Sequence, residues 1–104
     1  MKGGMNEILR QAQQMQNKIA RLQEEIGQRT VTANSGGGMV TVVANGKQEI
    51  VSLKIEKQVI NPDDAEMLED LVVAAVNSAL KASQDMMNQE MAKVTGGLSI
   101  PGMF

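Results

Sequence analysis

Between Met5 and Ile26 the apolar residues fall at Met5, Ile8, Ala12, Met15, Ile19, Leu22 and Ile26, in an unbroken 3-4-3-4-3-4 spacing. A 3.5-residue period held over three heptads is the seam of a coiled coil, narrower than the stripe of a helix resting on a globular core. It predicts a helix over Met5–Ile26, roughly 33 Å long at ~1.5 Å per residue, packed along another long helix. A helix of that length overhangs a small domain as an arm. Gly27 stands where a C-terminal cap is expected, and Gly3 and Gly4 loosen the approach.

From Gln28 the period falls to two and β-branched residues take over, predicting strands at Thr30–Thr32, Met39–Ala44 and Glu49–Glu56. Ser35-Gly36-Gly37-Gly38 links the first two as a flexible turn or bulge. Asn45-Gly46 has the form of a two-residue type I′ hairpin, which needs positive φ at both positions. Alternation then puts Val51, Leu53 and Ile55 on a buried face, with Ser52, Lys54 and Glu56 on a wet one.

Asn61-Pro62-Asp63-Asp64 reads as a helix start: a capping amide, a proline in the first turn, and acids at the positive end of the macrodipole. The helix should run to about Thr95, with a break near its first turn. Its apolar face is wide at first (Leu68, Leu71, Val72, Ala75, Val76, Ala79, Leu80) and thins beyond Leu80 to Met87, Met91 and Val94. The wide half should cover the sheet and the thin half should meet the first helix. Gly96 and Gly97 end it, and Leu98 to Phe104 form a short apolar tail. The chain is expected to be one α+β domain over 1–104, with a helical arm (1–27), a sheet (28–57), a long helix (61–95) and a flexible tail (96–104).

Composition sharpens this in three ways. One Phe and no Trp or Tyr mean an aliphatic core, with the nine methionines as fillers of irregular gaps. The absence of Cys excludes disulfides and thiolate metal sites. No stretch approaches the ~20 apolar residues that span a bilayer, and the start lacks the apolar run of a signal peptide, so the expected location is the cytoplasm.

Candidate chemistry is sparse. His and Cys, two of the commonest proton-transfer and nucleophilic groups, are missing. Asp63, Asp64, Glu66, Glu69 and Asp70 cluster, but acids in and after a first helical turn answer the dipole and the solvent. Gly36-Gly37-Gly38 precedes a strand, whereas a phosphate cradle opens a helix with Gly-Lys-Ser or Gly-Lys-Thr. No enzyme activity, cofactor, metal or small-molecule substrate is expected.

The net charge of −2 divides unevenly: residues 1–57 carry 8 cations and 5 anions, residues 58–104 carry 2 and 7. With Met5 at heptad position a, Arg10 falls at f and Arg21 at c on the outer face, and Lys18 at g beside the seam. The amides of Gln11, Gln13, Gln14, Gln16, Asn17 and Gln23 can donate to phosphate or sugar oxygens. Taken alone, such a face is an ordinary solvated one. Single-strand and RNA modules stack bases on aromatic platforms that this chain cannot build, so a nucleic-acid partner should be a duplex held mainly by its phosphates.

The order of parts resembles the YbaB/EbfC family of bacterial nucleoid-associated proteins across essentially the whole chain. The similarity rests on Gly36-Gly37-Gly38-Met39-Val40, the run Asp63-Asp64-Ala65-Glu66-Met67-Leu68-Glu69-Asp70-Leu71, Ala74-Ala75-Val76-Asn77, and Gly96-Gly97 through Pro101-Gly102, together with the stretch Gln11 to Gln16. The resemblance implies a tweezers-like homodimer whose long helices project as arms, binding double-stranded DNA in the nucleoid and organising it or modulating transcription. It implies DNA contacts at Arg10, Lys18 and Arg21, with Lys2, Lys81 and Lys93 as further candidates. The alternative is a protein-interaction scaffold or adaptor, for which the acidic total, the Gln-rich arm and the apolar tail speak.

Overall fold

In the computed structural model, which describes the backbone of residues 2–95 and the side chains of residues 4–94, the heptad pattern is one continuous helix, α1 (Lys2–Gln28). Three antiparallel strands come next, β1 (Thr30–Ser35), β2 (Val40–Asn45) and β3 (Ile50–Ile55), in the order β1-β2-β3. Two single 3-10 turns, Lys57–Val59 and Pro62–Asp64, lead into α2 (Ala65–Thr95). The break expected at the start of this helix is the Pro62–Asp64 turn, where the Asn61 side chain accepts from the Asp63 N–H at 3.0 Å. The expected tail, Gly96 to Phe104, lies outside the described residues.

β2 is the centre of the core. Val40, Val42 and Ala44 are fully buried beneath Ala75 and Ala79 of α2, with Val31, Ala33, Leu68, Leu71, Val72 and Val76 packed around them. Small residues on the helix let its backbone approach the sheet, and the apolar side chains of this core are all aliphatic. α2 lies over β1 and β2 and barely touches β3. Beyond the sheet, α2 continues alongside α1, so the molecule measures 76 × 24 × 16 Å. Its radius of gyration is 20.4 Å, against about 13 Å for a compact chain of this length.

Three expectations are corrected. Gly27 does not end α1, which runs on to Gln28, and the hairpin backbone meets this end: Gly46 N–H donates to Gly27 O in the last turn (3.2 Å) and to Arg29 O just past the helix (3.0 Å). Asn45-Gly46 is not a two-residue type I′ turn. The connection spans Gly46 to Glu49, with Gln48 at φ 61° as its one left-handed residue and Asn45 N–H donating to Glu49 O at 2.9 Å. The Asn45 side chain holds this turn by accepting from Lys47 N (2.9 Å) and Glu49 N (3.1 Å). Gly46 is needed for close approach, since a Cβ there would overlap Ile26 O and sit 2.8 Å from Ile26 C.

The third correction concerns β3. The β2–β3 register slips between Val43, opposite Ser52, and Ala44, opposite Ile50, so Val51 is an extra residue in a bulge. Leu53 and Ile55 do share the inner face with Val42 and Val40, and Ile55 is half-buried against the core, yet Leu53 is left exposed. Ile50, Val51 and Leu53 remain 41%, 57% and 40% exposed. The Gly36-Gly37-Gly38 turn is as expected a strand link, with all three residues at positive φ. Gly36 also makes room for Leu71, whose carbonyl accepts from Ser35 Oγ at 2.6 Å.

Ser83 is the one fully buried polar side chain among the described residues. Its hydroxyl donates to Asn45 O and accepts from Gln48 N–H at 3.2 Å, tying α2 to the turn that also receives α1.

Two variants test this junction. Gly46→Ala forces backbone away from the end of α1 and should lower stability by about 1–3 kcal/mol, the range for overpacking; a thermal midpoint equal to wild type would remove the close-approach argument. Ser83→Ala removes the hydroxyl tie between α2 and the turn, while Gln48 N–H keeps its bond to Asn45 O (3.1 Å), and should cost about 0.5–1.5 kcal/mol in urea unfolding. Ser78→Ala, on the exposed face of α2, should stay within about 0.5 kcal/mol, and an equal loss in both would show that helix propensity, not the junction, is being read.

Candidate nucleic-acid interface

The arm is built from the C-terminal halves of both long helices. On α1, Met15, Ile19 and Leu22 are half-buried and Ile26 is fully buried; on α2, Met86, Met87, Met91 and Val94 are half-buried. Lys18, Arg21, Leu22 and Glu25 succeed one another at i, i+3, i+4 and i+7, which makes them one stripe along the edge of this seam. With Val94 they line a cleft of about 210 Å³ between the helices. Arg21 thus sits beside Lys18 at the cleft, a position nearer to α2 than the heptad position alone suggests.

The other predicted cations have carboxylate partners. Arg10 is exposed three turns up α1 and ion-pairs with Glu7. Lys81 reaches Asp85 at 3.5 Å, and Lys93 donates to Glu90 at 3.1 Å. The side chain of Lys2 lies outside the described residues. Among the described residues Lys18 and Arg21 make no ion pair; Lys57, in the turn after β3, also makes none.

Two cations that sequence reasoning passes over join this region. Arg29, at the root of α1, approaches Glu90 at 3.4 Å, and Lys47, in the hairpin turn, approaches Glu24 at 3.3 Å. The Lys93 hydrogen bond, and then the charges of Lys93 and Arg29, hold the Glu90 carboxyl below the usual carboxylate range against the opposing pull of its partial burial. Glu90 therefore stays ionised, and the cluster of two cations and one anion keeps one positive charge. No local spacing signals either pair, since the partners are 61 and 23 residues apart.

The acidic cluster is elsewhere. Asp64, Glu66, Met67, Asp70 and Leu71 line an open groove of about 390 Å³ at the start of α2. Asp64 spends one oxygen on the Met67 N–H (3.3 Å), as a helix-start carboxylate should. Among the described residues no group of three His, Cys, Asp or Glu is placed to hold a metal ion. Among them, too, no helix is long and apolar enough to cross a membrane. From Asp70 to Val94 is about 36 Å along the helix, so the acidic groove and the cleft that holds Lys18 and Arg21 lie toward opposite ends of α2.

Known proteins share this architecture. A nucleoid-associated protein of Pelotomaculum thermopropionicum is 54% identical over 104 residues, spanning 100% of this chain and 99% of its own. One from Desulforamulus reducens is 55% identical over 104 residues with the same coverage. The crystal structure of an uncharacterized protein from Helicobacter pylori superposes with a TM-score of 0.74 at 27% identity, over 86% of this chain and 94% of that one. The profile of the YbaB/EbfC DNA-binding family matches residues 1–98, and with relatives this similar along their whole length the chain belongs to that family.

Proposed function

We propose that this chain binds double-stranded DNA as a homodimer, mainly through phosphate contacts from its helical arms, and that it works in the nucleoid, in chromosome organisation or transcription. The observation that carries this reading is the pair Lys18 and Arg21, exposed on one stripe of the arm and free of any carboxylate partner among the described residues. Arg10, Lys81 and Lys93 add contacts only where a phosphate displaces their present carboxylate. Lys2, in the first turn of α1, is a further candidate contact.

The net charge of −2 does not oppose this. The Debye length is about 8 Å at physiological salt, so the acids at the start of α2, about 36 Å away along the helix, do not cancel the field at the arm. They discourage DNA from the body of the molecule and leave the arm as the favourable approach. With one Phe and no Trp or Tyr, the chain favours a duplex over single strands, and two unpaired cations on each arm favour modest, salt-sensitive affinity over base readout.

The homodimer is supported by β3. This strand is an edge of the sheet, and an open edge with apolar side chains is a surface that proteins cover. Ile50, Val51 and Leu53 present one that α2 leaves bare. The chain exposes 7558 Å², where a compact protein of its mass exposes about 5,700 Å². A second copy would also double the unpaired cations of the arms.

Binding of duplex DNA across a salt series tests the first part. Replacing Lys18 and Arg21 together by Gln removes four cations per dimer and should flatten the slope of log affinity against log salt by about 3 to 4. An unchanged slope would end the arm assignment, and no binding at low salt would end the DNA reading. Light scattering tests the second part: wild type should have twice the 11.2 kDa chain mass at micromolar concentration, and Leu53→Glu should shift it toward one chain. A monomeric wild type would refute the dimer.

A further inference from the structure

The covering of α1 stops halfway along it. From Met15 to Ile26 the seam is half-buried or buried, whereas Met5, Ile8 and Leu9 are 69%, 67% and 61% exposed and Ala12 is also exposed. Leu9 adds a second row, so this bare stripe is wider than the covered seam. It continues the packed seam directly, on the same helix and without a turn between them.

The segment after α2 is suited to cover it. Val94 lies in the cleft beside Leu22 and Lys18, and α2 runs antiparallel to α1 there, so the chain leaves Thr95 heading for the N-terminal end of α1. Residues 96–104 carry no charged side chain and include Leu98, Ile100, Met103 and Phe104, the last being the chain's one aromatic residue. Nine residues reach about 30 Å when extended, and Leu22 to Met5 is about 25 Å along a helix. Gly96 and Gly97 give the backbone freedom to change direction at the point where α2 ends. Tethering also raises the effective concentration of the segment to about the millimolar range, which a separate chain does not match.

We propose that the tail Leu98–Phe104 docks on its own chain along Met5, Ile8, Leu9 and Ala12, extending the two-helix seam to the tip of the arm.

The chain has no Cys, so a spin label on Ser99→Cys of the full-length protein reports the tail alone. In one sample the labelled chain is also the 15N chain, diluted in excess unlabelled wild type; in the other the 15N chain is wild type and the spin-labelled chain is the unlabelled excess. Docking predicts strong loss of the residue 5–12 amide signals in the first sample and little in the second. Loss confined to the second would place the tail on another copy and overturn the proposal, as would no loss in either. Because a loose tether also passes near α1, the first sample is repeated with Met5, Ile8 and Leu9 changed to Gln, on a helical stretch that stands clear of the core. Recovery of the signals supports docking; persistence of the loss overturns it.

Discussion

The N–H of Gly46 and the hydroxyl of Ser83 decide where the two long helices can sit. One reaches the carbonyls at the end of α1, and the other holds α2 to the carbonyl and N–H of the same turn. Neither helix could be placed so firmly by apolar packing alone, because hydrophobic contact is non-directional and the fully buried core is small: Ile26, Val40, Val42, Ala44, Val59, Ala75 and Ala79. Directional bonds at one turn supply the geometry that so few aliphatic side chains leave open. Everything beyond the turn, including the spacing of the helices at the cleft, inherits its position from there.

Local patterns are legible in the sequence, and tertiary duties are not. The heptads of α1, the Asn61 cap, the three strands and the thinning stripe of α2 each depend on neighbours within a turn or two, and all appear in the structure. Gly27 and Gly46 mislead because both carry the common local meaning of glycine, a cap and a tight turn, while Gly46 lets two backbones touch and Gly27 makes room for the Lys47 side chain. Val51 misleads because strict alternation continues through a bulge on paper but not in the ladder. The bare face of β3 cannot be read either, since which strands a helix covers depends on where that helix lies.

The candidate interface divides in the same way. Pairing of Arg10 with Glu7, Lys81 with Asp85 and Lys93 with Glu90 accords with spacings of three and four, so those cations could be discounted from sequence. Lys18 and Arg21 also share a spacing of three, but their nearness to Val94 needs the second helix. Arg29 and Lys47 become part of the arm's base only because the hairpin turn and the end of α1 converge. Charge is thus sorted along the molecule by folding more than by the order of residues, and the sum over the chain conceals it.

The rooting of α1 at one end makes it a lever. The stretch before Met15, which stands clear of α2, is about 20 Å long, so a tilt of about 10° where the packing ends carries its tip through about 3 Å, around half the ~6 Å width of a DNA minor groove. The precision with which this protein can present its tip is therefore set by the Met15–Ile26 seam and by the glycine that anchors its far end.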